Sequence, residues 1–342
     1  MIFILKDKKM KTNLFVTMAA TALILAGCAN DENGIDNGPV KLRLTSGVEV
    51  QQTRAFTPTQ STSITSGEVV SVWVDDAGTT SNPTPMYKAN QLTATVGNGF
   101  SGGTEMFFPA TGNNVNIYAV HGNFTAPFTG GEAFPGAAVE YSVEADQSKG
   151  GKAYTNSDLL YAYEKEVARS SNPVQLTFYH MLSKLELAIV KGEGAPELAA
   201  TDAVKLGGVT LNGNFTPSTS ADMSILSERV DMLSAASTTS SGDMTLGQTT
   251  CADFTDNVSY NEAILVPQEM IGKVLTFTLK DGGTLKYTIP AFDATPGAAV
   301  FESGKKYQYQ ITLKLTGLEV TSTIEDWDAV GIDPVPGDAV MD

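Results

Sequence analysis

The chain has 342 residues, with 22 Lys+Arg against 38 Asp+Glu and a formal net charge of −16. So acidic a surface repels phosphate backbones and anionic lipid, which excludes nucleic acid as a natural partner and favours solubility. With 32 Gly, 15 Pro and short alternating runs of Thr, Val and aromatic residues, the composition predicts an all-β chain without long helices.

Residues 1–27 read as a secretory signal. Lys6, Lys8, Lys9 and Lys11 precede an apolar run from Leu14 to Leu25, which is too short and wrongly flanked to span a membrane. Loss of this segment makes the mature chain more acidic still. Leu25-Ala26-Gly27-Cys28 resembles the bacterial lipobox, which implies that the Cys28 thiol is acylated and becomes the first mature residue. The alternative is an ordinary signal with a chance cysteine. With Cys28 lipidated only Cys251 remains, so no internal disulfide is expected and the core must hold the fold. Residues 28–39, ending in the polar, turn-rich DENGIDNGP, read as a lipidated tether.

Val40 to Ala55 is the first strand-like stretch. Val40, Leu42, Leu44, Val48 and Val50 occupy even positions and Lys41, Arg43, Thr45, Glu49 and Gln51 odd ones, the period of a half-buried strand. It reads either as an ordinary sheet member or as a removable strand. Arg54, in the polar surroundings of Thr53, Thr57, Pro58 and Thr59, either ends that strand or marks a processing site before Ala55.

Further along, Glu68 to Val74 is apolar on nearly both sides and predicts a central strand, closed by a turn at Asp75-Asp76-Ala77-Gly78. Adjacent carboxylates at a strand end read as solvated turn residues and not as an acid/base pair. Asn98-Gly99 and Gly102-Gly103 predict turns, and Val115 to Val120 another strand. The region 112–152 predicts long loops, whose Phe124, Phe128 and Phe134 are either contact residues or, preferably, buried under their own loop. In Leu176 to Val190 the apolar residues switch from even to odd positions near Ser183-Lys184, which requires a bulge or a crossing between two strands. His180, in phase with Phe178 and Leu182, reads as a hydrogen-bonded core histidine. His121 is the only other histidine, so no metal site built on three of them is available and no cofactor is expected.

The C-terminal half predicts a second sandwich. Leu275-Thr276-Phe277-Thr278-Leu279 and Leu285-Lys286-Tyr287-Thr288-Ile289 flank Asp281-Gly282-Gly283 as a hairpin. Tyr307, Tyr309, Ile311, Leu313 and Leu315 alternate with polar residues. Ser234 to Thr250 reads as a low-complexity loop. After Trp327, Pro334 and Pro336 make the end a tail or edge segment.

Asp158-Leu159-Leu160-Tyr161-Ala162, Phe178-Tyr179-His180-Met181-Leu182-Ser183-Lys184-Leu185, Ala263-Ile264-Leu265-Val266-Pro267-Gln268 and Ile324-Glu325-Asp326-Trp327, in this order and with the lipobox and Thr53-Arg54-Ala55, resemble the fimbrillin family of type V pilus subunit precursors. The resemblance implies two tandem transthyretin-like Greek-key β-sandwiches, 40–182 and 183–330, and a C-terminal tail, 331–342. It implies a lipoprotein anchored in the outer membrane through Cys28, cut after Arg54 by an arginine-specific protease, and joined to other pilus subunits in a cell-surface fimbrium by β-strand addition. In that family the C-terminal extended segment is the donor, and the proline-interrupted tail here departs from that pattern. The rival reading is a non-polymerising surface lipoprotein that binds glycan or host protein through the 112–152 loops. No Ser/His/Asp arrangement, metal cluster or helix-bounded glycine loop is visible, so an enzyme is not expected.

Overall fold

Period-2 alternation governs the fold from its first strand. The computed structural model describes residues 38–48, 64–78, 84–126, 128–148, 152–200, 202–235, 241–249, 258–290, 300–314, 317–326 and 337–338. The chain divides into Met1–Gly38, of which only Gly38 is described, and Pro39–Asp342, to which everything below refers. The first half supplies β1 (Leu44–Val48), β2 (Val69–Asp76), β3 (Thr84–Ala94), β4 (Phe100–Ser101), β5 (Val115–His121), β6 (Val139–Ser142), the short helix α1 (Lys152–Ser157), β7 (Leu160–Val167) and β8 (Val174–His180).

Seven of these strands form one sheet in the order β1-β8-β7-β5-β2-β3-β4. Every neighbouring pair is antiparallel except β1 with β8, which run parallel. Bridges from Lys41 to Phe107 and from Thr45 to Gly99 then join β1 to the chain around β4, so the sheet closes on itself. Closure follows the alternation. Val70, Val72 and Val74 of β2, Val115, Ile117 and Ala119 of β5, and Leu176 and Phe178 of β8 all point into one apolar cluster. The opposite face carries Trp73, Tyr118 and Tyr161, which belong to a second cluster.

That second cluster is the core of the C-terminal half. Its strands are β9 (Ser183–Lys191), β10 (Val204–Thr210), β11 (Asn212–Phe215), β12 (Leu233–Ala235), β13 (Ser241–Thr245), β14 (Gly247–Thr249), β15 (Val258–Leu265), β16 (Gln268–Glu269), β17 (Val274–Thr278), β18 (Thr284–Thr288), β19 (Val300–Phe301), β20 (Lys305–Lys314), β21 (Gly317–Asp326) and β22 (Gly337–Asp338). A helix, α2 (Leu226–Val230), lies between β11 and β12. A six-stranded sheet, β14-β15-β9-β20-β21-β22, and a four-stranded one, β13-β10-β17-β18, contribute Leu187, Ile189, Tyr309 and Ile311 on one side and Leu206, Leu275 and Phe277 on the other. A three-stranded sheet, β12-β11-β6, joins β6 of the first half of the chain to β11 and β12 of the second. The parity switch near Ser183 is a crossing. The chain leaves the closed sheet after His180 and enters the six-stranded sheet at Ser183, so Phe178 and Leu185 serve different cores.

Two expectations need amendment, and the preferred reading of the loop phenylalanines holds. Asp75 and Asp76 lie inside β2, not in a turn beyond it, because both pair with β3 and β5. Both are half-buried. Burial raises the Asp75 carboxyl, with Lys88 opposing the effect, and Asp76 accepts from Asn113 Nδ2 at 3.0 Å. The low-complexity stretch 234–250 contains β13 and β14 and ends β12, since Met244 and Leu246 are buried and give a polar segment its anchor. Phe124 is buried, and Phe128 and Phe134 pack on the second cluster under their own loop. Phe134 stacks on Tyr118 at 4.2 Å, and Phe128 meets the edge of Trp73 at 4.8 Å.

A polar strap fastens the two halves. Gln147 is buried and uses its side-chain amide as a strand would, accepting from Ile264 N–H at 2.9 Å and donating to Ile264 O at 2.8 Å. Nearby, on the six-stranded sheet, Lys184 Nζ stands 2.9 Å from Glu186 and 2.8 Å from Glu262, all three buried. Burial works against the Lys184 charge, but Glu186 and Glu262 outweigh it and hold the amine well above its ordinary value. Burial likewise opposes the Glu186 charge, and Lys184 with Lys306 brings its carboxyl below the usual range.

Removing one member of such a pair strands the others. Lys184→Met is expected to cost about 3–5 kcal/mol in urea unfolding. Lys191→Met, at an exposed pair on the same strand, is expected to change the midpoint little.

Candidate assembly site

The segment 40–48 holds its place by both edges and one face. On one side β1 runs in register with β8 from Leu44 opposite Val174 to Val48 opposite Phe178, and Val174 N–H donates to Arg43 O at 2.8 Å. On the other side Phe108 N–H donates to Val40 O at 2.9 Å, Leu42 N–H to Met106 O at 2.8 Å and Ser46 N–H to Asn98 O at 2.7 Å. Leu42, Leu44 and Val48 are buried in the first cluster and Val40 packs against it. Each fully buried side chain of this kind is worth about 1.5–3 kcal/mol, so the inward face supplies most of the hold.

The outward face is polar and lightly tied. Lys41 pairs with Glu105, the Arg43 guanidinium donates to Ser171 O, and Thr45 Oγ1 donates to Val174 O at 3.5 Å. None of these replaces an apolar contact. Exposed pairs contribute little, so the segment is anchored by shape and ladder rather than by charge.

The two edges are unequal. Between Leu42 and Ser46 the partner chain runs from Met106 back to Asn98, a longer stretch than the one it faces, and its middle turns away to pair β4 with β3. The excess leaves a cavity of about 520 Å³ in the barrel wall, lined by Arg43, Leu44, Gly99, Ser101, Gly103 and Met106 among others. Gly103 has φ 67°, and a Cβ there would stand 2.8 Å from both Gln91 O and a Leu92 methyl. Glycine is required at that return.

Of the residues singled out in the sequence, the structure brings Val40, Leu42, Leu44 and Val48 together on the barrel interior. Val50, Cys28, Arg54 and Ala55 lie outside the described residues. The histidines are elsewhere. His180 Nδ1 is 3.0 Å from Asp158 Oδ1, both buried. The two ring nitrogens of His121 each face a backbone oxygen at 3.0 Å, Val69 O and Thr155 O. Neither histidine lines the cavity. Among the described residues no group of three or more His, Cys, Asp and Glu converges as a metal site. Sequence reasoning missed the second edge of the 40–48 segment. Asn98 and Gly99 read only as a turn, and nothing local says that the turn closes onto Ser46.

The fimbrillin-like family matches residues 53–327. The chain belongs to that family. A relative described as the fimbrium subunit Fim1C of Bacteroides uniformis is 24% identical over 328 residues, covering 93% of this chain and 96% of the relative. Crystal structures of two proteins assigned to cell adhesion share the fimbrillin-like fold. The Bacteroides ovatus protein has a TM-score of 0.61 at 20% identity, covering 85% of this chain and 98% of its own. The Bacteroides uniformis protein has a TM-score of 0.55 at 19% identity, covering 85% and 99%. The fimbrillin-like match begins at residue 53, so β1 lies outside it.

The ranking of contacts is testable. Leu44→Ala is expected to lower unfolding free energy by about 2–5 kcal/mol through lost burial and the residual void. Thr45→Ala, one residue along on the polar face, is expected to stay within about 0.5 kcal/mol of the parent in the same denaturation series.

Proposed function

We propose that this fimbrillin-like chain is an exported pilus subunit whose first strand is a temporary plug, held until proteolysis frees its seat for a strand from a neighbouring subunit. Fimbrial subunits assemble with other pilus subunits, and the family is one of structural components rather than enzymes. The observation that carries the reading is the position of β1. It is the first strand among the described residues, it precedes Arg54, and it closes a barrel through ladders on both edges.

In this proposal Cys28 is lipidated and holds the precursor at the outer membrane. An arginine-specific protease cuts between Arg54 and Ala55, and the segment through Arg54 leaves with the lipid. Departure uncovers the edge of β8, the edge beside Asn98 and Met106, and the apolar positions that Leu42, Leu44 and Val48 had filled. An extended donor with apolar residues at alternate positions satisfies all three, with main-chain bonds giving affinity and the inward pockets giving register. The region 40–182 acts as the accepting sandwich and 183–330 as the second. The tail 331–342 is the donor candidate, and within it Gly337–Asp338 pairs with Thr321 and Ser322 at the edge of β21. The cell surface is the working location, and adhesion is the role that matches the proteins of similar fold. Phe124, Phe128 and Phe134 pack inward, which favours the assembly reading over the rival that offers these side chains as glycan contacts.

Incubating the full exported chain with an arginine-specific protease is expected to give a mature N-terminus at Ala55 and higher oligomers on mixing cut subunits. Arg54→Ala is expected to stay uncut and monomeric. A parent chain that remains intact, or a cut chain that stays monomeric with a donor peptide present, counts against the mechanism. Surface material that retains lipidated Cys28 in its working form supports the non-polymerising rival.

A further inference from the structure

The turn between β3 and β4 reads Thr95-Val96-Gly97-Asn98-Gly99, and it is one of the points where the barrel is latched onto the first strand segment. Val96 is 91% exposed and Asn98 is exposed. Gly97 and Asn98 both take positive φ, 86° and 65°. Thr95 N–H donates to Gly99 O at 2.9 Å, and Asn98 O receives Ser46 N–H at 2.7 Å. Asn98 is thus an asparagine followed by glycine at a solvent-exposed tip, with its backbone carbonyl engaged in holding β1.

We propose that Asn98 is a site of spontaneous deamidation, and that its conversion to isoaspartate releases the latch on β1. Gly99 carries no side chain to hinder its backbone nitrogen. That nitrogen attacks Asn98 Cγ and forms an N–Cγ bond. The Cγ–Nδ2 bond breaks, and ammonia leaves with the amide proton to give a succinimide. Water, the only co-reactant, then opens the ring. Attack at Cγ gives ordinary aspartate. Attack at the former backbone carbonyl gives isoaspartate, in which the chain runs through Cβ and Cγ and the old carbonyl becomes a free carboxylate. The acceptor of Ser46 N–H is therefore moved out of the main chain, and a methylene is added at the point of closure.

Asn212-Gly213 is the internal contrast. It lies in β11, the central strand of three, with Gly213 paired to Tyr141 on β6 and to Ala235 on β12. The Asn212 amide donates to Glu140 Oε1 at 3.1 Å, and the Tyr141 hydroxyl lies 2.4 Å from where a Gly213 Cβ would sit. Reaction there must first open two ladders, whereas a hairpin tip frays cheaply. Asn33 and Asn37, also followed by glycine, lie outside the described residues and are separated by peptide mapping.

The chemistry stands apart from the assembly reading; only its consequence, an ageing-dependent loosening of the plug, rests on that reading. The test ages the full chain at neutral to mildly alkaline pH, maps deamidation and isoaspartate by peptide, and follows hydrogen exchange at Ser46. Asn98 is expected to convert at least roughly tenfold faster than Asn212, and Ser46 exchange in aged protein to quicken by a comparable factor. Asn98→Gly suits the positive φ and removes the reacting amide, so its Ser46 exchange is expected to stay constant on ageing. Persistence of the Asn98 amide while Asn212 converts overturns the site. Conversion with unchanged Ser46 exchange overturns the latch. Protease cutting and assembly are measured on fresh protein, so failure of either leaves the other result readable.

Discussion

An apolar barrel core tolerates no missing stave, and in this protein the last stave is the segment 40–48. Six other strands aim their side chains into the cluster it completes, and its two edges meet β8 and the chain around Asn98 and Met106. Take it away and backbone donors, acceptors and aliphatic side chains face water together. Both costs are of the same sign, so the seat requires an occupant. The parallel pairing to β8 matters here. A parallel neighbour cannot be joined by a tight hairpin, so β1 reaches its place from a distant part of the chain and is connected to the barrel by sequence rather than by a turn.

The rest of the structure keeps that seat rigid. Trp73, Tyr118 and Tyr161 stand on the outer face of the barrel sheet and join the core of the C-terminal half, so the strands that line the seat are supported from behind. Buried polarity fixes the fit. The Gln147 amide pairs with Ile264 as a strand would, and Lys184 is held between Glu186 on its own strand and Glu262 on the adjacent one. Such groups add little net stability over apolar replacements, yet they penalise any other register. The wall thins at the cavity beside Leu44, which arises because the returning chain is longer than the edge it faces.

Much of the barrel was legible in the sequence. Alternation at Val40, Leu42, Leu44 and Val48 marked the inward face, the apolar run through Val72 marked a central strand, and the parity switch at Ser183 marked the crossing between cores. The reading failed where burial overrode composition. Met244 and Leu246 turn a Ser- and Thr-rich stretch into strands, and β3 and β5 extend β2 past the point where Asp75 and Asp76 suggest a turn. Local pattern cannot register a neighbour that arrives from far away in the chain.

By itself the sequence determined the class of fold, the inward face of the 40–48 segment and the acidic character, because side-chain periodicity and composition are local properties. Only the tertiary structure decided that the 40–48 segment has two edges and not one, that it lies parallel to β8, and that Asn98 holds it across 52 residues of chain. Hydrogen bonds between distant strands leave no trace in the periodicity of either partner. For that reason a strand that alternates like any other is seen to be the closure of the barrel only when its neighbours are in place.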